Sequence, residues 1–278
     1  MKITEVRLAE EYPFLAKNGA DPRLVCLLQD HDRIKDSTAS PVTRPAILVV
    51  PGGGYTHYGP MEGDPVALEF LNRGFQAFIL YYSVEPHHFP QQMLEMASAM
   101  DYLHKNADVL HIDKQKIAQI GFSAGGHMLA SYATLQDAPE VREHICAVPA
   151  NAAILCYPVV DAGDGAQRRC LEKFVGHLLS DEENERFSPS LHVGKNTPPT
   201  FLWHTATDAV VSCKNSIRYA SALIDAGIRT ELHIYPEGPH ALSTATRQTV
   251  KDPHGDIAVA VSSWVDLAMR FLSQLFAL

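Results

Sequence analysis

The sequence is poor in the features that mark out several special classes of protein. It holds five cysteines in 278 residues, Cys26, Cys146, Cys156, Cys170 and Cys213. They are scattered, odd in number and without a CxxC pair, which argues against a disulfide framework or a zinc site. None of the fourteen histidines falls in an HExxH or comparable ligand spacing, so neither a metal nor a cofactor is expected. The net charge is -9, with both signs interspersed and no basic stripe. Nothing is available to neutralise a phosphate backbone or an anionic lipid surface, so neither nucleic acid nor membrane is expected as a partner. No stretch approaches the ~18 apolar residues of a spanning helix. The first twenty residues, MKITEVRLAEEYPFLAKNGA, carry charge throughout and lack the apolar core of a signal peptide, which makes a cytoplasmic location the expectation. Internal repeats, low-complexity runs and Ser/Gly/Pro-rich linkers are missing too. Residues 1–278 therefore read as one domain, with the oligomeric state, a homo-oligomer included, left open.

What remains is ordinary globular composition, 46% hydrophobic and 20% charged, and a clear alternation. Short apolar runs at residues 46–50 (AILVV), 76–82 (QAFILYY), 116–120 (KIAQI), 152–157, 200–203 and 231–235 are separated by helical patterns such as 65–72 and 127–134. Nearly continuous apolar runs separated by helices predict a parallel sheet covered on both faces. Two alternating runs, 3–8 and 24–29, predict an antiparallel edge added before the parallel core. Residues 159–196 interrupt the alternation with polar helical pieces such as 166–179, which predicts a small cap over the strand ends. In residues 257–278, Val261, Trp264, Val265, Ala268, Leu272 and Leu275 share one helical face, the pattern of a packed C-terminal helix.

Chemistry enters between the run 116–120 and the helix after it. Gly121-Phe122-Ser123-Ala124-Gly125 is a G-x-S-x-G element, and its strand-to-helix setting is that of a nucleophile elbow in an α/β-hydrolase fold. A bare G-x-S-x-G arises by chance in roughly one chain in ten of this length, so the placement carries the inference. Upstream, Pro51-Gly52-Gly53-Gly54-Tyr55 follows the strand AILVV, where this fold draws N–H groups for an oxyanion hole. Gly53, Gly54 and Ala124 are the expected donors. A serine needs an adjacent base, oriented in turn by a carboxylate. His240, in PEGPHAL, and Asp208, in HTATDAVV, each lie just beyond a predicted strand and in the order Ser, Asp, His. Asp161, Asp164 and Glu237 are competing acids. His204 and His233 lie within strands and read as structural, and His127, at the start of a helix, as a packing or hydrogen-bonding residue. Tyr55 and Tyr157 are candidates for the rim of the substrate pocket, with a place in the core as the simpler alternative.

With these residues in place, the chain resembles the bacterial acetyl esterase and acetylxylan-esterase-like branch of the α/β-hydrolases, related to hormone-sensitive-lipase-type esterases. The resemblance runs in order through PGGGY, EGDPVALEFLNRGFQAFILYY, IDKQKIAQIGFSAGGHMLASYAT, SPS with PPTFLWHTATDAVV, and YPEGPHAL. It places the family's nucleophile on Ser123, its acid on Asp208, its base on His240 and its oxyanion loop on Gly53 and Gly54. Two positions depart from it: Pro51 stands where hormone-sensitive-lipase-type enzymes carry histidine, and Ala241 where many relatives carry glycine. The resemblance implies a serine carboxylic-ester hydrolase for short acyl chains, an acetyl esterase acting on acetylated sugars or oligosaccharides, with a small-molecule ester as its partner. Two other readings compete. One is a serine peptidase of the prolyl-oligopeptidase type, weakened because the chain has no room for the large additional domain. The other is a non-catalytic hydrolase-fold binding protein, weakened because no triad position is lost.

Overall fold

The computed structural model describes residues 1–29, 42–163, 165–250 and 260–278. Its strands are β1 (Lys2–Arg7), β2 (Arg23–Leu28), β3 (Arg44–Val50), β4 (Gln76–Tyr81), β5 (Ile112–Phe122), β6 (Ala152–Cys156), β7 (Thr200–Thr205) and β8 (Thr230–Tyr235). Among the described residues they form one sheet of order β1-β2-β4-β3-β5-β6-β7-β8. The pairings among β3 to β8 are all parallel. The two early strands form the expected antiparallel edge, with Ile3 opposite Leu27 and Cys26 opposite Phe78.

Strand β3 shows why the runs are apolar throughout. Successive side chains point to opposite faces of a strand, so Ala46, Leu48 and Val50 enter one buried layer while Ile47 and Val49 enter the other. Helices cover both layers. Helices α2 (Gln91–Lys105), α3 (Ala124–Leu135), α4 (Ala166–Val175) and α5 (Lys214–Asp225) contribute Met93, Met128, Phe174 and Tyr219 to the first. Helices α1 (Asp64–Asn72) and α6 (Trp264–Phe276) contribute Phe70 and Phe271 to the second. This is the α/β-hydrolase architecture. In α6, Trp264, Val265, Ala268 and Leu272 are buried on the expected face, and Trp264 stacks on Trp203 of β7 with centroids 5.3 Å apart. Residues 257–259 of the expected helix lie outside the described residues.

The interrupting segment packs against the sheet's first layer through Leu171, Phe174, Leu179 and Phe187. It stands beside the strand ends as a wall, because an aromatic cluster anchors it: Phe174 meets Tyr55, His127, Phe89 and Phe187 at centroid distances of 5.1–5.6 Å. The parallel strands β3, β5, β6, β7 and β8 all end on the same side of the sheet, and their C-terminal loops meet there, the usual place for a site in a parallel sheet.

One charge in this core has a thermodynamic consequence. Glu95 of α2 is fully buried and accepts hydrogen bonds from the Ser83 N–H and O–H, both at 2.6 Å, and from Gln91 Nε2 at 2.8 Å. Burial, only partly offset by these donors, pushes its pKa from 4.5 up to about 7. Between those values the folded protein holds a proton that the unfolded chain has released, so this group's contribution to stability falls as pH rises. His127 works in the opposite sense: burial lowers its pKa from 6.5 to about 4, so its contribution rises with pH between those values. Comparison with a variant separates the two. Chemical denaturation of Glu95→Gln and wild type from pH 4.5 to 8 should show the variant gaining on wild type by about 3 kcal/mol across that range. A pH-independent difference would contradict the buried carboxyl.

Candidate active site

Ser123 sits on a sharp corner. Strand β5 ends at Phe122 and α3 begins at Ala124, and the serine between them has φ 51 and ψ -115. Such a backbone costs roughly 1–3 kcal/mol and persists only where its surroundings impose it. Here the Ser123 N–H donates to the Cys156 carbonyl at 3.0 Å, and the Ser123 carbonyl accepts from the His127 N–H at 3.0 Å. The first turn of α3 lies directly on strand β3. A Cβ on Gly125 would stand 2.2 Å from the Val50 carbonyl oxygen, which is why the second glycine of the motif is needed.

The side chains expected to partner Ser123 are brought to it. His240 Nε2 lies 2.8 Å from Ser123 Oγ, and His240 Nδ1 lies 2.6 Å from Asp208 Oδ2. An ionised carboxylate only accepts, so Nδ1 carries the proton and Nε2 is left to accept from the serine hydroxyl. The other Asp208 oxygen accepts the N–H groups of Val210 at 2.8 Å and Val211 at 2.9 Å. Burial alone would raise the Asp208 pKa, but hydrogen bonds from His204 and His240, the charge of His240 and the Val211 N–H outweigh it and leave the pKa well below the usual carboxylate range. The carboxylate thus stays ionised beside the imidazole.

His204 is more closely tied to the site than its position in a strand suggested. It is fully buried in β7, with Nε2 at 2.9 Å from the Val211 carbonyl and 3.3 Å from Asp208 Oδ2, and Nδ1 at 2.8 Å from Ser216 Oγ. The signal was present in HTATD, which puts a histidine four residues before the acid. His233, by contrast, pairs with Glu231 at 2.8 Å away from the site. Of the competing acids, Asp161 is bound to Arg218 at 2.9 Å and to the Ser190 hydroxyl, and Glu237 is exposed on the loop before His240. Asp164 lies outside the described residues.

Ser123 and His240 open into a cleft of about 470 Å³, with Gly53 and Gly54 on one side and Arg169 and Lys173 of α4 on the other. No hydrogen bond between described residues engages the N–H of Gly53, Gly54 or Ala124. These three donors are therefore free to serve an incoming oxygen, whereas the Gly52 N–H is taken by Glu62 Oε2 at 2.8 Å. Ala241, also on the cleft wall, has φ 64, a left-handed conformation that explains the glycine expected there and that alanine adopts at a cost.

Tyr55 and Tyr157 do not border the cleft. Both are buried, at 0% and 2% exposure, and both hydroxyls are committed beneath its floor. Tyr55 donates to His127 Nδ1 at 2.7 Å, which leaves His127 Nε2 to donate to the Phe187 carbonyl at 3.1 Å. His127 is the hydrogen-bonding residue expected, and it fastens the wall segment to α3. Tyr157 donates to Glu62 Oε1 at 2.7 Å. Glu62, Arg169 and Lys173 are not marked in the sequence, since a carboxylate before a helix and two cations on a polar helix carry no local sign of a site.

The BD-FAE family model matches residues 34–223. The chain belongs to the BD-FAE family. The match takes in Ser123 and Asp208 and stops short of His240. The chain is 35% identical over 245 residues to endo-1,4-beta-xylanase B of Butyrivibrio fibrisolvens, covering 84% of this chain and 37% of that protein. It is 25% identical over 251 residues to an acetylxylan esterase of Xylanibacter ruminicola, covering 87% of this chain and 48% of that protein. The chain thus spans less than half the length of either. Among solved structures, it resembles the acetyl ester-xyloside bifunctional hydrolase of Caldicellulosiruptor lactoaceticus with a TM-score of 0.82 and 30% identity, over 98% of this chain and 96% of that one.

The placement of Tyr55 is open to direct test. Tyr55→Phe removes the donor to His127 Nδ1 and leaves a buried acceptor unpaired, which should lower stability by about 1–3 kcal/mol. Denaturant unfolding measures this; a variant as stable as wild type would show that the Tyr55–His127 bond contributes nothing.

Proposed function

We propose that this BD-FAE protein is a serine carboxylic-ester hydrolase for short acyl groups, an acetyl esterase acting on acetylated sugars or oligosaccharides. One observation supports the reading above all others: the unbroken contact from Ser123 Oγ through His240 to a buried, ionised Asp208, at 2.8 and 2.6 Å, at the edge of an open cleft. In this reading Ser123 Oγ attacks the ester carbonyl carbon while its proton passes to His240 Nε2. The carbonyl oxygen, now negative, takes N–H bonds from Gly53, Gly54 and Ala124. The tetrahedral intermediate collapses as His240 returns the proton to the departing alcohol oxygen, leaving an acyl-enzyme. Water, deprotonated by the same imidazole, then attacks the acyl carbon, and as the C–Oγ bond breaks His240 returns that proton to Ser123 Oγ, releasing the acid. Asp208 holds the imidazole in the tautomer that this sequence requires and stabilises its charged form.

The choice of substrate draws on the kin. An acetylxylan esterase and an acetyl ester-xyloside hydrolase are among the proteins this chain resembles. The cleft lining is mainly apolar but includes Thr56, His57, Arg169 and Lys173, polar groups that could bind a hydroxyl-rich alcohol. Two measurements check the reading. With 4-nitrophenyl esters, kcat/KM should be higher for the acetyl than for the octanoyl chain, and acetylated xylo-oligosaccharides should be deacetylated while peptide amides are not. A preference for octanoate would overturn the short-chain assignment. In the same assay Asp208→Asn should lose as much as about 10⁴ in kcat, whereas Asp161→Asn and Glu237→Gln stay within about tenfold of wild type. Collapse of either of those with normal Asp208→Asn turnover would move the acid's role.

A further inference from the structure

Glu62 lies in the loop between β3 and α1, at 3% exposure, and the mechanism above gives it no part. Both its oxygens are engaged by donors: Oε2 accepts the Gly52 N–H at 2.8 Å and Oε1 accepts the Tyr157 O–H at 2.7 Å. Gly52 immediately precedes Gly53, so this bond holds the residue next to the two glycines that carry two of the three free N–H groups. Tyr157, on the far side, is itself held. Its oxygen accepts the Ser243 N–H at 3.0 Å, the Ser243 carbonyl accepts Trp264 Nε1–H at 3.0 Å, and the Ser243 hydroxyl donates back to the Met61 carbonyl. The Tyr157 ring stands edge-on to the His240 imidazole with centroids 4.9 Å apart. One carboxylate therefore links the glycine loop after β3, the end of β6 and the loop that bears His240.

Two glycines lie against this group. A Cβ on Gly59 would lie 2.2 Å from Glu62 Oε2, and one on Gly52 would lie 2.6 Å from the Phe122 carbonyl oxygen and 2.9 Å from Glu62 Oε2. Burial raises the Glu62 pKa, opposed by the bonds from Tyr157 and Gly52 and by the charges of His240 and His57. Burying a carboxyl is costly unless its hydrogen bonds are satisfied, and here a donor meets each oxygen. Both partners of Glu62 are donors, so the site calls for an acceptor at each oxygen, which a carboxylate supplies and an amide does not.

We infer that Glu62 is a positioning residue for the ester hydrolysis proposed above. Through Gly52 it holds the Gly53 and Gly54 N–H groups on the spot where the oxyanion forms, and through Tyr157 it keeps the His240 loop in register with them. This role rests on the reading of Ser123 as nucleophile. It predicts that loss of the carboxylate weakens binding of the tetrahedral state more than binding of the ground-state ester, because the oxyanion donors matter only once negative charge has developed.

The test compares wild type, Glu62→Gln, Glu62→Asp, Tyr157→Phe and Ser123→Ala with 4-nitrophenyl acetate as substrate and a trifluoromethyl ketone as a mimic of the tetrahedral adduct. Glu62→Gln should lower kcat on the order of 10²-fold, raise the Ki of the ketone in the same proportion as kcat/KM falls, and leave KM within about threefold. Tyr157→Phe keeps the Gly52 bond and removes the other, so it should show a smaller loss with the same proportionality; it decides the matter along with Glu62→Asp if Glu62→Gln does not fold. A folded Glu62→Gln with wild-type kcat and ketone Ki overturns the role of Glu62 while leaving the reading of the site intact, provided Ser123→Ala is inactive. A loss confined to KM or to thermal stability also overturns it. Absence of acetate hydrolysis in the wild-type protein overturns the site reading itself, and this inference with it.

Discussion

The site depends on one buried carboxylate having a fixed charge and a fixed direction. Asp208 is sealed behind the strand ends, yet it remains ionised because it accepts four contacts, from His240, His204 and the N–H groups of Val210 and Val211. That charge sets the tautomer of His240, and the tautomer in turn leaves a lone pair facing Ser123. None of this could be achieved by the three side chains alone. β7 and β8 are parallel neighbours, so their C-terminal loops place Asp208 and His240 side by side, and β5 presents Ser123 two strands away on the same edge. The apolar residues that bury the sheet on both faces hold these three loops within hydrogen-bonding distance of one another.

Rigid support extends below the cleft in two directions. Toward the wall segment, Tyr55, His127 and the Phe187 carbonyl form a chain of hydrogen bonds inside an aromatic cluster with Phe174. Toward the other side, Glu62, Tyr157 and Ser243 run under the glycine loop to Trp264 of α6. Each chain is buried and fully paired at the atoms named, the condition under which a polar network specifies one arrangement instead of destabilising it. Above these chains the cleft is lined by Gly53 and Gly54 from the loop after β3 and by Arg169 and Lys173 of α4.

Much of this was legible in the sequence, for a physical reason. A doubly covered parallel strand must be apolar on both faces, so AILVV and QAFILYY declare themselves, and a serine between two glycines at the junction of strand and helix marks a corner that larger residues would block. Strand β5 starts at Ile112, ahead of the expected 116: Ile112 pairs with Arg44 and Ile117 with Ala46, and the polar residues 113–116, where the register slips, lie largely outside the core and so carry no apolar signal. Tyr55 and Tyr157 were legible as residues near the site but not as its foundation, since an aromatic next to a catalytic motif reads alike whether its hydroxyl faces substrate or protein. Glu62 was hidden for a related reason: its partner Tyr157 is 95 residues away, and only the fold brings the two together.

The central claim is that Ser123 Oγ is the atom made nucleophilic by this arrangement. Its most direct test is to treat the native protein with a fluorophosphonate, digest it and map the adduct by mass spectrometry. A single phosphonyl group on the peptide containing Ser123, formed at a rate that drops sharply when Asp208 is replaced by asparagine, is the result expected. An adduct on any other residue, or labelling of Ser123→Ala at the wild-type rate, would contradict it.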